Sequence, residues 1–250
     1  MDKIEKITLL QSDLSKLRTF QNYTQIDKIN KKLELLFIYN TNALEGNSLS
    51  LTATQKALAG KTVGGKTIKE HLEVANLNEA LSLIKYLADR QEKFCVPVLL
   101  EIYYTVLLRS NMKTAWLKAN DLRNRKRINN EFRELSEVST GINEIMQWYR
   151  IVTDNAVGSS HPVIVAITLF VKLLKLKPFH YENERIAKLV LNLELLRYRY
   201  PIVIIEKKSK SKFNDAVHSA IYIDDIIPLT EIITTALLKN MKMYIMAINN

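Results

Sequence analysis

The stretch KPFHYENERIAKLVLNLELLRYRYP, residues 177–201, decides the fold. Residues 186–196 are apolar on nearly every side of a helix, which is typical of a helix buried in the middle of a protein. The N-terminal end of this helix is crowded with polar side chains: Lys177, His180, Tyr181, Glu182, Asn183, Glu184, Arg185 and Lys188. Because a helix N-terminus carries partial positive charge and free N–H groups, polar residues gathered there predict a functional site, or the remains of one.

The chain as a whole predicts an all-α protein. Its 250 residues, 47% of them hydrophobic, can bury a core as one domain or two closely packed ones. Glycine and proline are scarce, and helices are predicted within residues 5–22, 24–46 and 138–153, with another starting at Pro162 after Ser160 as N-cap. The sequence contains no stretch of about 18 uncharged apolar residues, the length that is needed to span a membrane. Cys95 is the single cysteine. We therefore expect a soluble, cytoplasmic protein without an internal disulfide.

A second stretch, GKTVGGKT at residues 60–67, matches the phosphate-loop pattern G-x-x-x-x-G-K-[ST]. A true phosphate loop follows a buried strand and opens a helix. Here the upstream residues suit a helix that Thr52 caps and Gly60 ends, and the downstream pair Thr67 and Glu70 has capping-box spacing. The pattern therefore predicts a glycine-rich connection between two helices, not a nucleotide site.

The residues of the decisive stretch resemble a family motif. KPFHYENERIAK is similar to H-P-F-x-[DE]-G-N-G-R-x-x-R of the Fic family (Fido fold), whose members transfer AMP from ATP to a hydroxyl group of a target protein. TNALEGN, residues 41–47, resembles the inhibitory motif [ST]-x-x-x-E-[GN] of one class of the family. The resemblance covers about residues 41–233. It implies an all-α Fic/Fido helical bundle with a short β-hairpin flap. In this picture residues 1–95 form an N-terminal helical region and residues 96–250 a Fic-like core, within one compact unit.

Four positions of the motif are intact. By resemblance, Pro178 and Phe179 shape the loop, Asn183 binds the transferred phosphate, and Arg185 clamps the phosphates of the nucleotide.

Five positions depart from the motif. Lys177 stands where the family has its histidine base, and Tyr181 stands where it has a magnesium-binding carboxylate. Glu182 and Glu184 replace both glycines, and Lys188 replaces the second arginine. A lysine is protonated at neutral pH and cannot take a proton from the target hydroxyl. Loss of a positioned base alone costs about 10²- to 10⁴-fold in rate.

The inhibitory-like motif carries its own prediction. In the family its glutamate, here Glu45, pairs with the second arginine of the motif and blocks the γ-phosphate of ATP. Thr41 begins the motif in this chain, and the partner of Glu45 would be Lys188. We predict a contact between Glu45 and Lys188 that serves packing and stability more than regulation.

These observations predict a Fic-fold protein with a degenerate motif, weak or inactive in AMP transfer, that acts as an interaction or ligand-binding module. Binding of ATP and magnesium is expected to be weak or absent, and no dedicated metal site is predicted. One alternative is a working transferase, in which Glu182 or Glu184 holds magnesium and His180 or a desolvated Lys177 acts as base.

The basic segments predict the partners. In the family, a flap registers the target protein by strand addition, and here it would lie near Leu122 and Ile128, with Arg123 or Arg125 as its arginine. The formal charge of +10 and the basic clusters at residues 122–127 and 206–212 raise a second alternative, a helical nucleic-acid-binding protein.

Overall fold

The computed structural model describes residues 2–107, 135–154 and 160–249, and these residues form ten α-helices. The all-α prediction is confirmed. The first five helices are α1 Lys3–Leu17, α2 Tyr23–Leu44, α3 Leu51–Leu58, α4 Ile68–Asp89 and α5 Val96–Leu107. The other five are α6 Leu135–Asp154, α7 Pro162–Leu176, α8 Asn183–Arg197, α9 Lys210–Tyr222 and α10 Ile227–Asn249. The predicted flap near Leu122 and Ile128, and the basic cluster at residues 122–127, lie outside the described residues.

The backbone contacts divide the chain into two compact units. One unit comprises Met1–Val74 and Leu195–Asn250, and the other comprises Ala75–Glu194. The division of the sequence into residues 1–95 and 96–250, within one compact unit, stays a prediction. No helix within the described ranges is both long and apolar enough to cross a membrane.

In the first unit, α10 is the central element. It packs against α1, α2 and α9, and α2 also packs against α3. The side chains of Leu229, Ile233, Leu237 and Met241 are fully buried and recur along one stripe of α10, which is the spacing of a helix face turned toward a core.

In the second unit, α6 and α7 pack closely. A Cβ atom added at Gly141 of α6 would lie 2.5 Å from Cδ1 of Leu176, the last residue of α7, so the missing side chain allows the approach. Phe94 meets the ring of Tyr149 edge-on at 5.7 Å, and the Tyr149 hydroxyl donates to the buried carboxylate of Glu194 at 2.9 Å. This packing holds the end of α7, where the decisive stretch begins.

Two predicted N-caps were wrong. Helix α3 begins after Ser50, whose hydroxyl accepts the Ala53 N–H at 3.1 Å, and Thr52 lies inside the helix. Helix α7 begins after His161, whose Nδ1 accepts the Val163 N–H at 3.3 Å, although Pro162 occupies the first helical position as expected. In both places two neighbouring residues could serve as cap, and backbone geometry chose between them.

Candidate functional site

The decisive stretch is a helix end, a five-residue loop and a helix start. Helix α7 ends at Leu176 and is followed by its C-cap, a left-handed Lys177 with φ 47° and ψ 62°; residues 178–182 then lead to α8, which begins at Asn183. The residue before α8, Glu182, has φ 65°. This left-handed region favours glycine, because glycine has no Cβ atom to clash with the backbone. Glu182 stands at the first glycine of the family motif. Residue 182 therefore has the left-handed backbone conformation typical of glycine, although a glutamate occupies the position.

The loop is anchored by Phe179. Its side chain is buried, and its ring stacks on Tyr103 of α5 with centroids 4.0 Å apart and planes within 2°. Pro178 beside it is buried as well. Tyr103 was not among the predicted site residues, because no local pattern in α5 shows that its ring will meet a loop far along the chain.

Asn183 closes the loop. Its Oδ1 accepts the Phe179 N–H at 2.9 Å, and its Nδ2 donates to the Phe179 carbonyl at 2.7 Å. The side-chain amide thus makes a two-way link with one backbone position. Asn183 is the first residue of α8, and its side chain has a structural role in this loop.

Both cations of the motif contact the glutamates that replace glycine. Arg185 is 4% exposed and its guanidinium contacts the Glu182 carboxylate. Lys188 is 2% exposed, and its Nζ lies 2.6 Å from Oε1 of Glu184. Carboxylates at a helix N-terminus also interact favourably with the helix dipole. The charges that would attract a phosphate group are therefore engaged with carboxylates of the same loop and helix start.

The remaining motif residues are open to solvent. Lys177 and His180 are exposed, and the Tyr181 side chain is 74% exposed. Tyr181 has no carboxylate to offer a metal ion at the family's magnesium position. Among the described residues, no group of three or more His, Cys, Asp or Glu side chains could hold a metal ion. The residues present therefore do not fit magnesium-ATP in the arrangement implied by the family.

The inhibitory-like motif lies at the C-terminal end of α2. Thr41 is buried and Glu45 is exposed. Gly46 has φ 96°, and the N–H groups of Gly46 and Asn47 donate to the carbonyls of Ala43 and Asn42. This is the Schellman pattern, in which a glycine just past the helix satisfies the last carbonyl groups. The contact between Glu45 and Lys188 stays a prediction, because the two residues belong to different compact units.

The glycine-rich stretch at residues 60–67 connects α3 to α4, as predicted. Gly60 has φ 73° and ends α3, so no strand enters this loop. Thr67 and Glu70 form the expected capping box: the Thr67 N–H donates to Glu70 Oε2 at 2.9 Å, and the Glu70 N–H donates to Thr67 Oγ1 at 3.1 Å. The ammonium of Lys66 donates to Ser48 at 2.6 Å. The residues that would bind phosphate are used for local structure.

No family model matches the chain. The chain is 27% identical over 205 residues to a protein adenylyltransferase, fic-1, of Caenorhabditis elegans, covering 80% of this chain and 39% of that protein. It is 28% identical over 238 residues to the protein adenylyltransferase Fic of Culex quinquefasciatus, covering 89% of this chain and 44% of that protein. The chain thus spans about two fifths of the length of these curated relatives.

Solved structures agree. A fragment of Fic-1 from C. elegans superposes with a TM-score of 0.82 at 24% identity, covering 98% of this chain and 71% of that one. A Fic-domain-containing signalling protein from Bacteroides thetaiotaomicron gives a TM-score of 0.81 at 23% identity, covering 99% of this chain and 98% of that one. The structures establish the fold, and the curated relatives carry the sequence similarity. The chain therefore has the fold of Fic domain structures, and its sequence is similar to that of Fic protein adenylyltransferases.

Proposed function

We propose that this Fic domain has little or no AMP-transfer activity and acts as an interaction or ligand-binding module. The observation that carries the proposal is the pairing of Arg185 with Glu182 and of Lys188 with Glu184. The cations at the start of α8 already have anionic partners from the two glycine positions of the motif. A triphosphate in the family's usual pose would have to displace both carboxylates.

Electrostatics supports this proposal. A carboxylate about 4 Å from a phosphate charge opposes it by up to about 4 kcal/mol at an effective dielectric near 20. The Glu182 side chain is 24% exposed and that of Glu184 is 41% exposed, so solvent screens part of this repulsion. The remainder is still large compared with the 1.4 kcal/mol that corresponds to a tenfold change in affinity.

Chemistry at the base position also supports it. The Lys177 side chain is exposed, so it lacks the desolvation that activates a catalytic lysine. Tyr181 leaves the family's metal position without a carboxylate, which removes the charge stabilisation that a magnesium ion would supply. The base and the metal ion act on different parts of the reaction, so losing both lowers the rate of AMP transfer more than losing either one.

A working transferase with reassigned residues is the second candidate. The left-handed Glu182, the locked Asn183 and the buried Arg185 favour it, because together they keep the backbone and two binding residues of the family's site. It requires Glu182 or Glu184 to leave its cation for a magnesium ion, and it requires His180 or Lys177 to become the base. Both candidate bases are exposed.

Labelled ATP separates the two candidates. The chain is incubated with α-³²P-labelled ATP and magnesium, alone and with the Asn183→Ala variant as the matched control. We expect no incorporation of label above that of the variant. Robust labelling of the wild-type chain that disappears in Asn183→Ala would overturn the proposal and establish the reassigned transferase.

A further inference from the structure

The first unit contains a groove that no residue of the Fic motif lines. Its main part is a cavity of about 1080 Å³ between α2, residues 204–212 and α10. A smaller cavity of about 430 Å³ shares Thr235, Lys239 and Met243 with it and extends the groove toward Met246. The two cavities follow α10 from Glu231 to Met246, which corresponds to roughly 22 Å at 1.5 Å per residue. That length accommodates about four turns of another helix.

The walls of the groove are fixed by two buried asparagines. Asn40 of α2 accepts the backbone N–H of Lys207 at 2.8 Å, and Asn240 of α10 donates to the Ile202 carbonyl at 2.6 Å. Asn40 and Asn240 are 6% and 4% exposed. The segment that precedes α9, a non-helical stretch followed by a 3₁₀ turn at Lys207–Ser209, is therefore tied to the helices on both sides, and the groove is preformed.

The floor of the groove is apolar. Its side chains come from three elements: Leu36, Ile204, Ile205, Ile232, Ala236 and Met243. The extension adds Leu238 and the exposed side chain of Met246. Methionine side chains are flexible and polarisable, and they are common in surfaces that accept the apolar face of a partner helix.

The rim of the groove is strongly cationic. Two carboxylates line it, and both are engaged: Glu206 lies 2.7 Å from Lys208 and also contacts Lys239, and Glu231 contacts Lys3. Hydrogen bonds from Lys208 and Lys239 lower the pKa of the Glu206 carboxyl, as expected for an ionised partner. These two anions cannot balance the remaining cations.

Four further lysines on the rim have no such partner. Within residues 2–107, 135–154 and 160–249, no ion pair is formed by Lys32, Lys207, Lys212 or Lys242. All four side chains are exposed. A ligand that fits the groove would bring anions to these lysines and an apolar face to the floor.

We propose that this groove binds an acidic amphipathic helix of a partner protein. Its length, its apolar floor and its unpaired lysines match the three features of such a helix: about four turns, an apolar stripe, and carboxylates flanking the stripe. The proposal deepens the interaction role proposed above. It rests on the groove's own residues and would stand if the Fic motif proved active.

Selection from a peptide library tests the proposal. The probe is a displayed library of 16-residue helices with a fixed leucine stripe, in which each flanking position is Glu or Lys with equal frequency. We expect clones bound by the full chain to be enriched in Glu. A single enriched peptide is then labelled, and its affinity for the chain is measured by fluorescence anisotropy at several salt concentrations.

Two variants show whether the groove is the binding site. Reversing three rim charges, Lys32→Glu, Lys207→Glu and Lys212→Glu, should weaken binding at least tenfold. The matched control reverses Lys16, Lys56 and Lys61, which are exposed, carry the same charge and do not line the groove. This control should change affinity by less than threefold. Filling the floor with Ala236→Trp should weaken binding without changing the charge.

The outcomes are distinct. The proposal is overturned if Glu and Lys remain equally frequent among bound clones, if nothing is enriched, or if the groove variants bind like the control. It is also overturned if a single-stranded oligonucleotide or a fatty acid displaces the peptide at lower concentration than unlabelled peptide does, since the natural occupant would then belong to another class. Labelling by ATP is measured in parallel, so failure of this proposal and failure of the proposed function are read separately.

Discussion

Two helix starts in this chain resemble phosphate-binding sites in different ways. The start of α4 follows a stretch that matches the phosphate-loop pattern at every letter, yet the loop comes from a helix end and is closed by Thr67 and Glu70. The start of α8 departs from its family's motif at five positions, yet it keeps a left-handed residue before the helix and a locked Asn183. The start of α4 matches the sequence pattern but lacks the strand that a phosphate loop requires. The start of α8 keeps a left-handed residue before the helix but lacks five residues of the motif.

The two starts nevertheless share one feature. In each, a carboxylate of the chain occupies the place of an anion: Glu70 at the start of α4, and Glu182 with Glu184 at the start of α8. A helix N-terminus favours negative charge whatever its source. A pattern of residue types therefore predicts binding only when the chain itself does not supply the anion.

The buried Phe179, in the loop before α8, should contribute more to the free energy of unfolding than the half-buried Val63, in the loop before α4. Phe179→Ala removes a ring that is 1% exposed and stacked on Tyr103, so we expect a loss of about 3–5 kcal/mol in the free energy of unfolding. Val63→Ala in the glycine-rich loop, at a half-buried residue, should cost about 1 kcal/mol or less. Urea unfolding followed by circular dichroism measures both. Tyr181→Ala, in the same loop as Phe179 but exposed, is the matched control; equal effects at residues 179 and 181 would contradict the anchor.

Removing the internal anions should open the start of α8 to phosphate. The double variant Glu182→Gly and Glu184→Gly should bind a fluorescent ATP analogue at least tenfold more tightly than the wild-type chain, because Arg185 and Lys188 lose their neighbouring carboxylates. Glu70→Gln should leave the affinity unchanged, since the loop before α4 comes from a helix end and its Lys66 is bound to Ser48. Fluorescence anisotropy measures both variants. Unchanged affinity in the double variant would show that the two glutamates are not what excludes the nucleotide.

The start of α4 should carry a pH signature. Hydrogen bonds from the Ser48 side chain, and then from the backbone of Thr67 and Ser48, lower the pKa of Glu70 to about 2. A lowered pKa stabilises the fold above the ordinary value of about 4.5, and this contribution is lost as the pH falls through about 2. Glu70→Gln should therefore reduce stability by about 1 kcal/mol at pH 7, the usual worth of a helix cap at an exposed site, and by progressively less toward pH 2.

Unfolding of the Glu70 variant is compared with wild type by urea titration at pH 7, 4, 3 and 2. Glu144→Gln, at an exposed position within α6, serves as the control and should change stability by no more than about 0.5 kcal/mol at pH 7. A difference for Glu70→Gln that stays constant down to pH 2 would show that its carboxylate is not held in the ionised form by the cap.

The smallest effect should separate two adjacent glycines. Gly65 has φ 73°, so Gly65→Ala should destabilise by about 1 kcal/mol. Gly64 has no left-handed φ and no atom near its missing side chain, so Gly64→Ala should be neutral or stabilise by up to about 1 kcal/mol. Thermal unfolding of the two variants side by side makes the comparison. The same sign at both positions would show that local backbone conformation does not control this loop.

Much of the local structure could be predicted from the sequence. The buried helix α8 follows from its all-round apolar pattern, and the glycine-rich stretch was correctly interpreted as a connection because its neighbours carry helix caps instead of a strand. The family resemblance predicted the all-α fold, and its assignment of the site residues stays a prediction. The caps of α3 and α7 were missed, because by residue type Thr52 is about as suitable as Ser50, and Ser160 is more suitable than His161.

The sequence by itself determined which segments are helical, which helix is buried, and which residues of the family motif are missing, because periodicity, breakers and motif letters are properties of nearby residues. Only the tertiary structure decided that Glu182 and Glu184 contact Arg185 and Lys188, that Tyr103 supports Phe179, and that distant lysines rim one apolar groove. These features depend on backbone direction and on segments far apart in the chain. No local pattern predicts them, because they form only when the helices pack together.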